Sequence, residues 1–373
     1  MEKQGSKKTK IDPPLILKSK LESGCKAASF IDQHTIVCSD GTGSLEVFNF
    51  EKSETLVTFK PSESKIILGV HISQELQHPE LQQSYKLAIV LYKDGEIDVL
   101  VAMVDGIVDQ EKWKKIYTVK SPLSFMMQVP KLEKMFSKYL LGFINEEGKE
   151  STDGILPDPI SAVFSSISDI DKSNKKGAIN VVEFSDRNFI FVGYESGTII
   201  PCYYSVSTGK VLPLTKGFVL DPVDENPSII LSIFPIFQPE EHDFHLAISC
   251  YTQDISILSV KEIDSDLEEK CQMKRIKGSK EFCEISLVSV IKDAMFKPGT
   301  CEIKYYSHLL FIGSFDHRVR LYRVKKPHKP KLVGLLKHHK AAINSVSLYS
   351  NGSQCEVLVG SEDGSISLWT LNF

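Results

Sequence analysis

His339, Asp363 and Trp369 are the residues near the end of the chain whose types invite a chemical reading. An imidazole beside a carboxylate is the usual core of a general acid–base pair. Their setting argues for another role. They sit on three short alternating runs, Ile343 to Tyr349, Glu356 to Ser361 and Ser365 to Leu371. A polar turn (Ser350, Asn351, Gly352, Ser353) joins the first two, and the tight turn Glu362-Asp363-Gly364 joins the last two. Asp-Gly between alternating runs is a strong hairpin signal. On such a hairpin, Asp363 would accept from His339, and His339 would link through a strand hydroxyl, with Ser361 the candidate, to the indole N–H of Trp369. A buried polar network has to be fully satisfied or it destabilises the fold. The three residues are therefore read as structural.

The remaining reactive types spell no site. Gly41 and Gly43 could begin a phosphate loop, but no helix and no Lys-Ser/Thr follows, so they mark a hairpin turn. Asp169 and Asp171 lack the Gly and terminal Glu of a calcium loop. His242 and His245, beside Glu240 and Glu241, do not form HExxH and lead into a strand. His71, His78 and His308 have no spaced carboxylate partner, and there is no GxSxG elbow, P-loop or CxxC pair. We expect no catalytic, cofactor-binding or metal-binding residues and no cofactor. Arg318, Arg320 and Arg323 with Lys325, Lys326, Lys329 and Lys331 form the densest basic region, a conceivable phosphate or nucleic-acid patch. Alternate positions of a strand are often solvated, and that reading is preferred. Lys3, Lys7, Lys8 and Lys10 could serve nuclear import, though a solvated tail is the simpler reading.

The elements that carry these residues are short strands at repeating intervals. Repeat one spans about 24–59, with strands Ala27–Ile31, Thr35–Ser39 and Ser44–Phe50. Repeat two has Ile66–Ile72, Leu87–Tyr92, a Lys93-Asp94-Gly95 turn and Glu96–Met103. Repeat three rests on Leu123–Val129, Tyr139–Ile144 and Ile160–Phe164, around a polar loop from Asn145 to Pro159. Repeat four has Ile179–Phe184, Phe189–Tyr194, a turn at Gly197, Thr198–Val206 and Lys210–Leu214. Repeat five has Ile229–Phe234, Phe244–Tyr251 and Ile255–Val260. Repeat six is read as Ile285–Ile291, His308–Ser314 and Arg318–Val324, with Tyr322 six residues after Asp316 as Trp369 is after Asp363. The turn glycines Gly95 and Gly197 lie 102 residues apart, about twice the other spacings, which leaves room for repeat three.

A His, an Asp-bearing turn and a later Trp resemble the WD-repeat pattern of β-propeller blades. The expected fold is all-β, a seven-bladed WD40-type β-propeller. The last repeat supplies three strands and a blade needs four. Leu15–Leu17 is the expected fourth, closing the ring and covering an exposed sheet edge. Residues 1–12 are expected to be a disordered basic tail and 13–373 one propeller, with insertions near 105–121, 145–177 and 264–283.

Composition bounds the class. The 373 residues are 42% hydrophobic and 25% charged, ordinary for a globular chain. The net charge of −4 argues against a general nucleic-acid or membrane binder. No apolar run approaches the ~20 residues of a membrane helix, and the polar start MEKQGSKKTKIDPP has no apolar h-region. The eight cysteines are scattered and read as free thiols of a reducing compartment, the cytosol or nucleus.

Four stretches carry a more particular resemblance: PPLILKSKLESG, FVGYESGTII, GSFDHRVRLYRV, and HHKAAINSVSLYSNG with VLVGSEDGSISLWTLNF. Together they look like the ASTRA-associated protein 1 family and its animal relatives, the G protein β-subunit-like WD proteins. The likeness is specific over about 189–209 and 309–373. It implies a non-enzymatic nuclear scaffold subunit, found also in the cytoplasm. Its partners would be the RuvB-like AAA ATPases, the Tel/Tti cochaperones and the phosphatidylinositol-3-kinase-like kinases. The resemblance carries over no site residues, since the matching motifs build blades. The alternative is a non-catalytic propeller partner of an RNA-modifying enzyme, or a generic adaptor.

Overall fold

The structure is a computed structural model. It describes residues 10–11, 14–17, 24–40, 42–61, 65–73, 75–77, 84–104, 113–120, 177, 179–185, 188–205, 208, 210–220, 229–236, 244–251, 254–262, 267, 282–292, 300–352 and 354–372. The alternating runs form antiparallel strands, as a period of two requires. After β1 (Lys10–Ile11) and β2 (Leu15–Leu17) come β3 (Ala27–Phe30), β4 (Thr35–Ser39), β5 (Leu45–Asn49) and β6 (Glu54–Phe59), one sheet in that order. The next holds β7 (Ile67–Ile72), β9 (Ser84–Tyr92), β10 (Glu96–Met103) and β11 (Lys114–Lys120), with β8 (Leu76–Gln77) on β9. A third holds β12 (Ile179–Phe184), β13 (Phe189–Tyr194), β14 (Thr198–Ser205) and β15 (Lys210–Pro213), with β16 (Phe218–Val219) on β14. The fourth holds β17 (Ile230–Ile236), β18 (Phe244–Cys250), β19 (Ile255–Glu262) and β20 (Cys283–Ile291). The fifth holds β21 (Thr300–Tyr306), β22 (Leu309–Ser314), β23 (Arg318–Arg323) and β24 (Lys331–Lys337). The last holds β25 (Ile343–Ser350), β26 (Gln354–Ser361) and β27 (Ile366–Asn372).

Six sheets are thus seen among the described residues. Their first strands pack side by side in the order β12, β17, β21, β25, β3, β7, which is the inner wall of a propeller. The apolar core lies in the seams between sheets. Phe189, Phe191 and Phe244 cluster where the third and fourth sheets meet, and Ile257, Ile312 and Tyr322 fill the next seam. The strands expected for repeat three, Leu123–Val129, Tyr139–Ile144 and Ile160–Phe164, and the polar loop among them lie outside the described residues.

The N-terminal strand closes the last sheet. Leu15, Ile16 and Leu17 pair with Leu368, Ser367 and Ile366. Leu17 is buried in the seam with Cys25, Ile36, Phe48 and Ile366. Burying one leucine contributes about 2 kcal/mol.

Three boundaries differ from the sequence reading. Lys10 and Ile11, inside the tail expected to be disordered, pair with Asn372 and Leu371. Lys114–Lys120, inside the stretch expected to be an insertion, is the outer strand of the second sheet, where KKIYTVK runs along β10. Ile285–Ile291 belongs to β20, the outer strand of the fourth sheet, and the sixth repeat opens instead on β21. A first and a fourth strand share a composition, and only their pairing partner separates them.

Candidate functional site

The His339 network forms with a different serine. The Trp369 Nε1–H donates to Ser367 Oγ at 2.9 Å, and Ser367 Oγ lies 2.8 Å from His339 Nε2. His339 Nδ1 faces Ser365 Oγ at 3.0 Å and the Asp363 carboxylate at 3.3 Å. A neutral imidazole with its proton on Nδ1 satisfies every link, with each hydroxyl donating onward: Ser367 to His339, and Ser365 to Asp363 Oδ1 at 2.6 Å. Ser361, the expected link, instead donates to the Ala341 carbonyl and accepts from the Asp363 N–H. The strand period explains the difference. Ser367 and Trp369 are two apart on β27 and share a face, whereas Ser361 is on β26. Burial pushes His339 below its ordinary value, against the pull of Asp363. Asp363 is held well below the usual carboxylate range. Burial opposes this, but hydrogen bonds from the Ser365 hydroxyl and the Lys340 and Ser365 amides outweigh it.

Ser367 occupies a position that recurs in every described sheet. Its strand partner Val359 matches Cys38, Val90, Val192, Ile248 and Ile312, which face Glu46, Asp98, Ile200, Ser256 and Arg320. All six residues at this register are buried, and five are polar. Four of the polar ones, Glu46, Asp98, Arg320 and Ser367, serve as latches. Asp98 accepts from Tyr92 Oη at 2.8 Å and Thr118 Oγ1 at 2.6 Å and pairs with Lys115 at 2.6 Å. Thr55 donates its hydroxyl to Glu46. Arg320, 2% exposed, makes a bidentate pair with Asp316, Nη1 to Oδ1 at 2.8 Å and Nη2 to Oδ2 at 2.7 Å.

This corrects the reading of the basic region. Arg320 is an internal ion pair and is not available to a phosphate. Arg318 reaches Asp316 at 4.0 Å, while Lys325, Lys326, Lys329 and Lys331 stay exposed.

The inner wall encloses an axial cavity of about 910 Å³, lined among others by Ser29, His71, Lys86, Glu302, Lys304 and Ser345. Its polar groups are engaged with backbone. On four of the first strands, β21, β25, β3 and β7, a side chain of the preceding sheet caps the inner edge. Ser232 accepts from the Ile303 N–H, Glu302 from Val346, Ser345 from Ala28, Ser347 from Phe30 and Ser29 from Ile72. Lys304 pairs with Glu302 at 2.6 Å, and Lys86 donates to the Ile31 carbonyl. These serines and carboxylates fasten neighbouring sheets. Sequence reasoning missed all of these caps, because they depend on which strands become neighbours across a seam.

The other histidines are scattered. His308 lies in a turn with φ of 64°, 3.4 Å from Tyr305 Oη, and His245 is a buried residue of β18. His242, His78, Asp169, Asp171, Gly41, Lys3, Lys7 and Lys8 lie outside the described residues, while Gly43 forms the expected turn with φ of 90°. Among the described residues no group of three His, Cys, Asp or Glu is placed to hold a metal ion, and no helix is long and apolar enough to cross a membrane. Cys25, Cys38, Cys202, Cys250, Cys283 and Cys355 are buried thiols outside any disulfide. Burial pushes the Cys25, Cys250 and Cys355 thiols up to about 12, far from a reactive thiolate.

Residues 330–370 match the family described as WD domain, G-beta repeat. The described sheets form a β-propeller, and the matched residues place a WD repeat in its last two sheets, from β24 to β27. No curated protein matches the sequence. Among solved structures, the computationally designed Ika8 protein is similar at 10% identity over 93% of this chain and 96% of that one, with a TM-score of 0.47.

Proposed function

We propose that this chain is a non-enzymatic scaffold subunit of an ASTRA-like assembly. There it would meet RuvB-like AAA ATPases, Tel/Tti cochaperones and phosphatidylinositol-3-kinase-like kinases, mainly in the nucleus. The observation that carries the scaffold reading is the use of its polar residues. His339, Asp363, Arg320, Asp98, Glu302 and the inner-wall serines all hold sheets together, so what the molecule offers is surface. The assembly rests on the four quoted stretches, of which two lie in the last two sheets. The reading includes a seventh blade built from 123–164, between β11 and β12. Affinity purification of the tagged chain from native extract tests the assignment. Recovery of the AAA ATPases with the cochaperones supports it, and recovery of ribosomal or coat proteins alone sinks it. The alternative, a partner of an RNA-modifying enzyme, loses Arg320 from its basic patch and keeps only the exposed lysines.

A further inference from the structure

β20 differs from the other outer strands. It has nine residues, against six in β6, seven in β11, four in β15 and seven in β24. Outer strands usually carry lysine or proline that discourages further pairing. β11 and β24 carry lysines, and β15 carries Lys210 and Pro213, while β6 (ETLVTF) has a single charge at Glu54 but is three residues shorter than β20. β20 reads CEISLVSVI, with a single charge at Glu284. Leu287 and Val290 are 52% and 38% exposed. They share one face, because their partners Leu258 and Ser256 are two apart on β19. The opposite face carries Ser289, whose hydroxyl donates to the Pro327 carbonyl at 2.6 Å. That bond brings the segment Lys325–Lys331 alongside β20. Lys325, Lys326, Lys329 and Lys331 are exposed, and among the described residues none of them forms an ion pair.

We propose that β20 is a docking edge for an extended acidic peptide of a partner protein, which adds as a fifth strand to the fourth sheet. Backbone hydrogen bonds along the edge supply the affinity, and side chains alternate between two environments. One set of positions meets Leu287 and Val290 and should be apolar. The other set faces the lysine segment and should be Asp or Glu. The sequence preference is therefore acidic–apolar alternation. The proposal rests on the scaffold reading alone and does not depend on which assembly the chain serves.

The test uses the purified full chain and a fluorescein-labelled ten-residue peptide of alternating Glu and Val, followed by fluorescence anisotropy. Saturable binding that weakens with added salt is expected. Leu287→Lys, and separately the triple variant Lys325→Glu, Lys326→Glu, Lys329→Glu, should each weaken it at least ten-fold. All these side chains are exposed, so unchanged thermal unfolding is the control. Hydrogen exchange on the native chain gives a readout free of variants: amides of Glu284–Val290 should slow at least ten-fold when peptide is added. The proposal is overturned if the exchange of β20 is unchanged, or if an alternating Lys-Val peptide or a proline-interrupted Glu-Val peptide binds equally well. Tighter binding of a single-stranded RNA oligonucleotide by the lysine segment also overturns it. These measurements use purified components, so their failure is separate from failure of the extract purification.

Discussion

Arg320 and Asp316 lie four apart across a turn and hold each other by two parallel hydrogen bonds, at 2.8 and 2.7 Å. The same four-residue step separates Asp363 from Ser367, where a histidine and two serines bridge the distance. One guanidinium replaces that whole relay, since its planar fork matches a carboxylate.

Removing Arg320 should therefore unfold more than a surface arginine would. Arg320→Ala leaves Asp316 without its main partner, and breaking a buried pair this way costs about 3–5 kcal/mol. Arg320→Lys should recover only part, because an ammonium cannot make both bonds. Urea unfolding midpoints of the three proteins check the order. Equal midpoints for wild type and Arg320→Ala would show that the pair contributes nothing.

The last sheet should lose stability in acid in two stages. His339 has a folded value below its unfolded ~6.5. A proton therefore binds the unfolded chain more tightly, and stability falls as pH drops below about 6.5. Asp363 is likewise depressed, so its contribution is present above about 4 and is lost as pH falls further. Urea titrations between pH 8 and 3 should show both stages in wild type. His339→Gln should remove the first, and a persistent first stage in that variant would assign it to another histidine.

These two networks show what the sequence does and does not disclose. Asp94-Gly95 and Asp363-Gly364 mark hairpins on sight, because the turn residues and the alternation around them are local. The choice of Ser367 over Ser361 was also local, since strand period alone puts Ser367 on the face of Trp369. Arg320 was harder to place. It sits among six other basic residues, and only its register against Ser367 marks it as internal. The inner-wall caps, such as Ser345 on Ala28, join residues 317 apart and have no sequence signal. The assignment of Ile285–Ile291 to the wrong repeat has the same origin.

Gly360 should tolerate no side chain. A Cβ there would lie 2.6 Å from Cys25 Sγ, in the seam between the first and last sheets. Gly360→Ala should cost about 1–3 kcal/mol by overpacking. Adding Cys25→Ala removes the sulfur, so the double variant should be less destabilised than the sum of the single changes. Strict additivity in a thermal unfolding cycle would contradict the contact.

Gly24 should be similarly intolerant for a different reason. Its φ is +88°, and a Cβ would meet the Glu362 carbonyl oxygen at 2.8 Å. Gly24→Ala adds a left-handed backbone cost of about 1–2 kcal/mol to that clash. The seam that Gly24 opens also holds the Cys25 amide on the Ser361 carbonyl and Lys26 on Glu362. Faster exchange of the Cys25 amide in Gly24→Ala is the expected local signature, and unchanged exchange would place the strain elsewhere.

The pairing of Leu15–Leu17 with Ile366–Leu368 sets a clock on biosynthesis. At ~5–20 residues per second, the ribosome needs roughly 20–70 s between making the first of these strands and the last. Throughout that interval the newborn β2 lacks this mate, and the circle can shut only after Ile366–Leu368 have been made.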